Sequence, residues 1–346
     1  MSSNPDVAGD GPRAVVFGCA GLSLRPDEVR FFAAADPCGF ILFRRNVANP
    51  EQVRALVGEL RGAVGRPDAP VLIDQEGGRV ARLGAPHWPL LPPQRAIGLL
   101  AERDAAAGTR AATALGRVIG AMLADLGIDV ACAPVADLLL AETHAVIGDR
   151  AFSADPVLVG RLAGAVCAGL RDAGVTPIVK HIPGHGRATV DSHFALPLIS
   201  ADRATLETTD FAAFRALADA PWAMVAHCVY GAFDSDRPAS TSPTVIERVI
   251  RGSIGFDGVL IADDIGMKAL RAPLADSAGA TLAAGCDLTL HCSGDLAEME
   301  QIAPAVAPVG PDCRRRFANA ASWMDRGRAP FDPAAELALI QGLPRP

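Results

Sequence analysis

The sequence predicts an α/β fold, a closed (β/α)8 barrel of the TIM type, in one domain over residues 1–346. Three observations point there. Short apolar runs recur eight times, helical stretches separate almost all of them, and polar residues gather where the runs end.

The elements follow in order. "AVVFG" (14–18) and "GFILF" (39–43) read as the first two strands. A helix is predicted over 50–63, where "ANPEQV" sets Pro50 just inside the helix start. "VLID" (71–74) is the third strand, and a long helix over 104–126 leads to "VACAPV" (130–135). "SADPVLV" repeats the proline signature at the head of a helix over 155–173, which delivers "PIVKH" (177–181). Helices over 201–218 and 243–251 alternate with "AMVAH" (223–227) and "GVLIAD" (258–263), and "LTLHC" (288–292) is the eighth strand. "APFDPAAELALIQGLPRP" reads as a closing helix, with fraying expected at about 1–12 and 340–346. Periodicity does not distinguish closure, so an open doubly wound sheet is the alternative. No G-x-G-x-x-G follows an early strand, which weakens a dinucleotide-binding reading.

Composition narrows the function. Half of the 346 residues are apolar and 21% are charged, so a sizeable core can be buried. A formal charge of −7 argues against general affinity for nucleic acid or an anionic membrane. No apolar run approaches the ~18 residues of a membrane span. The start, "MSSNPDVAGDGPRAVVFGCAG", lacks the pattern of a secretory signal, so a cytoplasmic protein is expected. The eight cysteines form no C-x-x-C pair and several sit in apolar runs, so free, buried thiols are expected.

Polar residues stand at five strand ends: Asp74, Lys180 with His181, His227, Asp263 and His291. In a parallel barrel these ends meet on one face, where active sites lie, so a shared pocket is expected. "KHIPGHGRATVDSH" (180–193) is the richest segment. Its histidines at 181, 185 and 193 could ligate a metal, but they lie in a glycine-broken loop beside Lys180, without H-E-x-x-H or a cysteine cluster. No metal and no cofactor are expected. Asp191 precedes His193 by two residues, close enough to bond one ring nitrogen and leave the other to move protons. Alone, that tripeptide favours the blander reading of a loop-stabilising pair. In "IDQEGGRVARL" (73–83), Asp74 and Arg82 could hold sugar hydroxyls or simply pair across a loop. In "IGDRAFSADP" (147–156), Arg150 could grip ligand oxygens or pair with Asp149 or Asp155. "VLIADDIGM" sets two carboxylates, Asp263 and Asp264, at a buried strand end, where by alternation at most one faces the mouth.

Together these segments resemble glycoside hydrolase family 3, in particular its single-domain bacterial β-N-acetylglucosaminidases. "GFILFRRN", "IDQEGGRVARL", "ACAPVADL", "IGDRAFSADP", "KHIPGHGRATVDSH", "MVAHCVY…RPASTSP" and "GFDGVLIADDIGM" run in the family's order. The resemblance implies Asp263 as nucleophile, His193 as general acid and then base, and Asp191 as its orienting partner. It implies sugar binding by Asp74, Arg82, Arg150, Lys180 and His181, and leaves His185 to shape its loop. His144-Ala145 stands where relatives usually show Asn-Pro, which puts the leaving-group preference in doubt. The expected reaction is retaining hydrolysis of terminal β-linked GlcNAc from peptidoglycan-derived muropeptides, by a monomer acting on a small carbohydrate, with no nucleic-acid or membrane partner. A β-N-acetylglucosaminide phosphorylase is the near alternative. A catalytically silent sugar-binding barrel and a metal hydrolase are the remoter ones.

Overall fold

The eight apolar runs lie side by side in parallel and close on themselves. The computed structural model describes residues 11–343. Its barrel strands are β1 Arg13–Phe17, β2 Pro37–Leu42, β3 Val71–Ile73, β4 Val130–Ala131, β5 Thr176–Ile182, β6 Trp222–Val225, β7 Val259–Asp264 and β8 Leu288–His291. Each strand pairs with the next in sequence, and β8 returns to β1. Parallel neighbours need a crossover, and helices on the outside cover the barrel's second face. That is why the strands read as unbroken apolar runs: Val15, Phe17, Leu72, Ile73, Val225 and Leu260 are all fully buried.

The helix starts follow the capping chemistry. Asn49 accepts a hydrogen bond from Gln52 N ahead of the helix Pro50–Val64, and Asp155 accepts one from Val157 N ahead of Pro156–Asp172. The helix expected over 201–218 is instead two short ones, Arg203–Thr208 and Asp210–Arg215. At the break, Thr209 Oγ1 lies within hydrogen-bonding distance of both Thr205 O and the Asp210 carboxylate, and its one proton serves either acceptor. Asp210 in turn takes the Arg187 guanidinium at 2.6 Å, so the break ties the glycine-rich loop to the helical layer. The segment expected as a helix over 243–251 is a π-helix, Val245–Ser253.

Of the ends expected to fray, 1–10 and 344–346 lie outside the described residues. The parts that are described are held in place. Pro12 O accepts from Val309 N, and Ile340 is fully buried in the helix Pro333–Gln341. All eight cysteines are free and seven are buried. Among the described residues, no helix is long and apolar enough to cross a membrane.

Candidate active site

A cavity opens at the carboxyl ends of the strands. Asp74, Arg82, Arg150, Lys180, His181, His193 and Asp263 all contribute to its lining. Its floor is an ion network. Asp74, directly after β3, accepts Lys180 Nζ on Oδ1 at 2.7 Å and Arg82 Nη2 on Oδ2 at 2.8 Å. Glu76 takes Arg150 through two parallel bonds of 2.9 Å, and its Oε1 also lies 2.6 Å from Lys180 Nζ. Lys180 therefore bridges the two carboxylates.

A hairpin makes this possible. Gln75–Gly77 pairs with Val80–Ala81, turning through Gly77 and Gly78 at positive φ. A Cβ on Gly77 would stand 2.4 Å from Pro92 O, so only glycine fits that turn. The Gln75 side chain accepts from the Arg82 and Leu83 backbone N–H groups and thereby delivers Arg82 to Asp74. Arg150 pairs with neither Asp149 nor Asp155. Asp149 is taken by Arg79 at 2.8 Å and Asp155 caps its helix. Burial alone would raise the Asp74 and Glu76 carboxyls, but the surrounding cations outweigh it and hold both below the usual range. For Lys180, burial pulls downward, and the Asp74 and Glu76 carboxylates push the ammonium above its ordinary value.

The segment 180–193 divides into three roles. His181 Nδ1 lies 2.7 Å from Asp137 Oδ2, while Asp137 Oδ1 accepts from the His181 and His185 backbone N–H groups. Burial raises the Asp137 carboxyl less than the His181 ring and these bonds lower it, to about 2. His185 is buried, with Nε2 3.1 Å from Ser192 Oγ and Nδ1 without a partner. Desolvation pushes its ring down to about 4, so it is neutral near pH 7. Gly186 lets this loop touch its neighbour, since a Cβ there would stand 2.2 Å from Leu138 O. Asp191 Oδ1 accepts from His193 N at 2.9 Å and sits 2.8 Å from His193 Nδ1. His193 itself is exposed at the rim of the cavity. The three histidines thus have separate partners, and among the described residues no group of three or more His, Cys, Asp or Glu side chains is placed to hold a metal.

At the end of β7, a register shift between Ile261 and Asp264 breaks the alternation, and both aspartates reach the lining. They are not equivalent. Asp264 Oδ1 accepts from Gly266 N and Cys292 N, whereas Asp263 takes only the Asp264 N–H, at 2.8 Å. Burial raises the Asp263 carboxyl, but His181, His227 and Lys180 together with that bond hold it below the ordinary range. It is therefore an anion with oxygen lone pairs to spare.

The expectation that five polar strand ends share one pocket is corrected to three. His227 is buried between Ser240 Oγ at 2.7 Å and Asp264 O at 3.1 Å, and His291 bonds Glu298 at 3.0 Å. Both rings are buried in the wall, His227 with both nitrogens bonded and His291 through Nε2. Sequence reasoning missed Glu76 and Asp137, both buried. Glu76 had a faint signal as the alternate carboxylate of "DQE"; Asp137 had none beyond its place after the fourth strand.

The barrel thus brings an anionic carboxylate and an Asp–His pair to one cavity. The chain belongs to glycosyl hydrolase family 3: the family's N-terminal domain matches residues 24–312. It is a glycoside hydrolase. A beta-hexosaminidase of Chromobacterium violaceum is 38% identical over 337 residues, covering 94% of this chain and 93% of that one. One of Alkalilimnicola ehrlichii is 38% identical over 283 residues, covering 81% and 80%. Among solved structures, NagZ of Neisseria gonorrhoeae in complex with N-trifluoroacetyl-D-glucosamine is 32% identical, with a TM-score of 0.86 and coverage of 97% and 99%.

The ion network predicts a coupled loss. Glu76→Gln should destabilise the fold by about 3–5 kcal/mol, because it leaves Arg150 buried without its carboxylate. Adding Arg150→Met should recover a large part of that loss. Urea unfolding of the two single variants and the double variant tests it, and simple additivity would refute the coupling.

His185 predicts an acid-sensitive stability. The unfolded ring takes its proton near 6.5 and the folded one only at about 4, so between these values the unfolded state binds more protons. Stability should fall as pH drops through that window, by up to about 1.4 kcal/mol per unit, with no further contribution below it. In His185→Gln this part of the slope should vanish, as read from urea midpoints between pH 4 and pH 7.

Proposed function

We propose that the chain is a retaining, exo-acting β-N-acetylglucosaminidase that removes terminal β-linked GlcNAc from peptidoglycan-derived muropeptides. In this reading the barrel alone is the catalytic unit, working as a monomer in the cytoplasm during cell-wall recycling. The carrying observation is that Asp263, anionic and largely unpartnered, lines the same cavity as His193, whose Nδ1 faces Asp191 at 2.8 Å. The substrate class rests on relatives named beta-hexosaminidase and on the glucosamine derivative held by the gonococcal protein. The free cysteines agree with a reducing compartment.

In the mechanism, Asp74, Arg82, Arg150, Lys180 and His181 hold the hydroxyls of the terminal sugar. An Asp263 oxygen attacks the anomeric carbon, forming the glycosyl ester as the bond to the leaving oxygen breaks. His193 Nε2 gives its proton to that oxygen, and the Asp191 carboxylate steadies the imidazolium and its orientation. His193, now neutral, takes a proton from water as that water attacks the same carbon and frees Asp263. The sugar leaves with its configuration retained. Turnover of an aryl β-GlcNAc beside its β-glucoside analogue, with and without inorganic phosphate, tests the substrate and separates hydrolysis from phosphorolysis.

Asp263→Asn should abolish turnover while leaving the fold intact, since the amide does not attack the anomeric carbon. A slow substrate that traps the glycosyl-enzyme should label Asp263; a label on Asp264 would overturn the assignment.

His193→Ala should cost about 10²–10⁴-fold in glycosylation when the leaving group is a sugar. A dinitrophenyl group departs without a proton, so that step should be nearly spared and a pre-steady-state burst should appear as deglycosylation lags. Equal losses on both substrates without a burst would reduce His193 to a loop residue.

A further inference from the structure

Two loops border the cavity on the side of His193. One carries Ser192 and His193 and the other runs from Asp263 to Met267, and these four residues line the cavity. The loops are joined by their backbones: Ala269 N donates to Ser192 O at 3.2 Å and Lys268 N to His193 O at 3.4 Å. The next residue on each loop is Phe194 and Lys268. Phe194 is 72% exposed, and the Lys268 ammonium lies over its ring, 5.9 Å from the centroid. Lys268 is also exposed, and among the described residues no carboxylate stands in ion-pair range of it. Further along, the same loops reach an apolar groove of about 460 Å³ through Leu196, Ala269 and Leu270, with Arg271 in its lining and no acidic residue.

We propose that Phe194 and Lys268 form the leaving-group subsite, and that it selects a leaving group with an apolar face and a carboxylate. The inference rests on the reading of His193 above. A residue that protonates the departing oxygen has the leaving group against it, so whatever extends beyond that oxygen meets the neighbours of His193. An aromatic ring with one face covered by an ammonium offers its free face to the C–H surface of a sugar. The ammonium, with no carboxylate partner among the described residues of a chain of net charge −7, pairs with an anion on that sugar. The groove beyond continues the surface for a larger appendage.

The test compares two disaccharides that share the terminal GlcNAc: β-1,4-linked GlcNAc–GlcNAc, and β-1,4-linked GlcNAc–N-acetylmuramic acid, whose lactyl group carries the carboxylate. Lys268→Met should lower kcat/KM for the acidic disaccharide by about three- to fivefold, as suits an exposed pair, and leave the neutral one within about twofold. Lys268→Arg should restore the preference, and high salt should shrink it in the parent. Phe194→Ala should lower both disaccharides by a similar factor, about fivefold. Equal effects of Lys268→Met on the two, or no effect of Phe194→Ala on either, would overturn the subsite. If the parent fails on a 4-nitrophenyl β-GlcNAc as well, the hydrolase reading falls and the subsite falls with it.

Discussion

The arrangement of charge at the barrel mouth depends on one bridging ammonium. Lys180 lies near the end of β5, and its Nζ sits between Asp74 and Glu76, at 2.7 and 2.6 Å. Without it, two buried carboxylates from one hairpin would face each other, which a low-dielectric site tolerates poorly. With it, Asp74 can take Arg82 and Glu76 can take Arg150, and three chain segments are locked to the end of β5. The cluster holds two carboxylates against three cations. That surplus leaves the cluster itself with one net positive charge and N–H donors beyond those used internally, which suits a ligand rich in hydroxyl oxygens.

The same economy explains the Asp191–His193 loop. It lacks regular structure, so side chains position it together with the two backbone bonds from Lys268 and Ala269. Ser192, between Asp191 and His193, meets buried His185 at 3.1 Å, and His185 is held through its backbone by Asp137. Asp137 also fixes His181 in the cavity wall. One carboxylate after β4 thus sets both the imidazole in the cavity wall and, two contacts away, the loop that carries the exposed one. Arg187 adds a second tether, to Asp210 at the break between the two short helices.

Much of this was legible in the sequence, and the misses have physical reasons. All eight strands were readable because a parallel barrel buries both strand faces and writes unbroken apolar runs. The break at Thr209 was hidden because Thr and Asp fit a helical pattern until their side chains find local partners. Seven of the eight proposed site residues line one cavity, and the eighth, Asp191, stands directly behind His193. His227 and His291 were overcounted, since a polar residue at a strand end reads the same whether it faces the mouth or is buried in the wall. Glu76 was undercounted for a related reason: its worth lies in partners 74 and 104 residues away (Arg150 and Lys180), and spacing along the chain carries no trace of them.

The division between buried and exposed groups bears on the reaction itself. The residues proposed to hold the sugar sit at strand ends and beside a tight hairpin, with Arg150 drawn in by Glu76, and Lys180 and Glu76 are almost without exposure. His193 keeps about 60% of its side chain open. A rigid floor gives the same geometry to every sugar that enters, and that is where an attack on the anomeric carbon needs precision. A proton donor faces a looser demand, because it must meet a leaving oxygen attached to groups of different size. Placing the donor on a loop held by a few hydrogen bonds lets its position adjust without disturbing the floor. In that reading, recognition of the sugar and of what is attached to it rests on separate parts of the barrel mouth, joined through Asp137 and through the backbone bonds of Lys268 and Ala269 to the His193 loop.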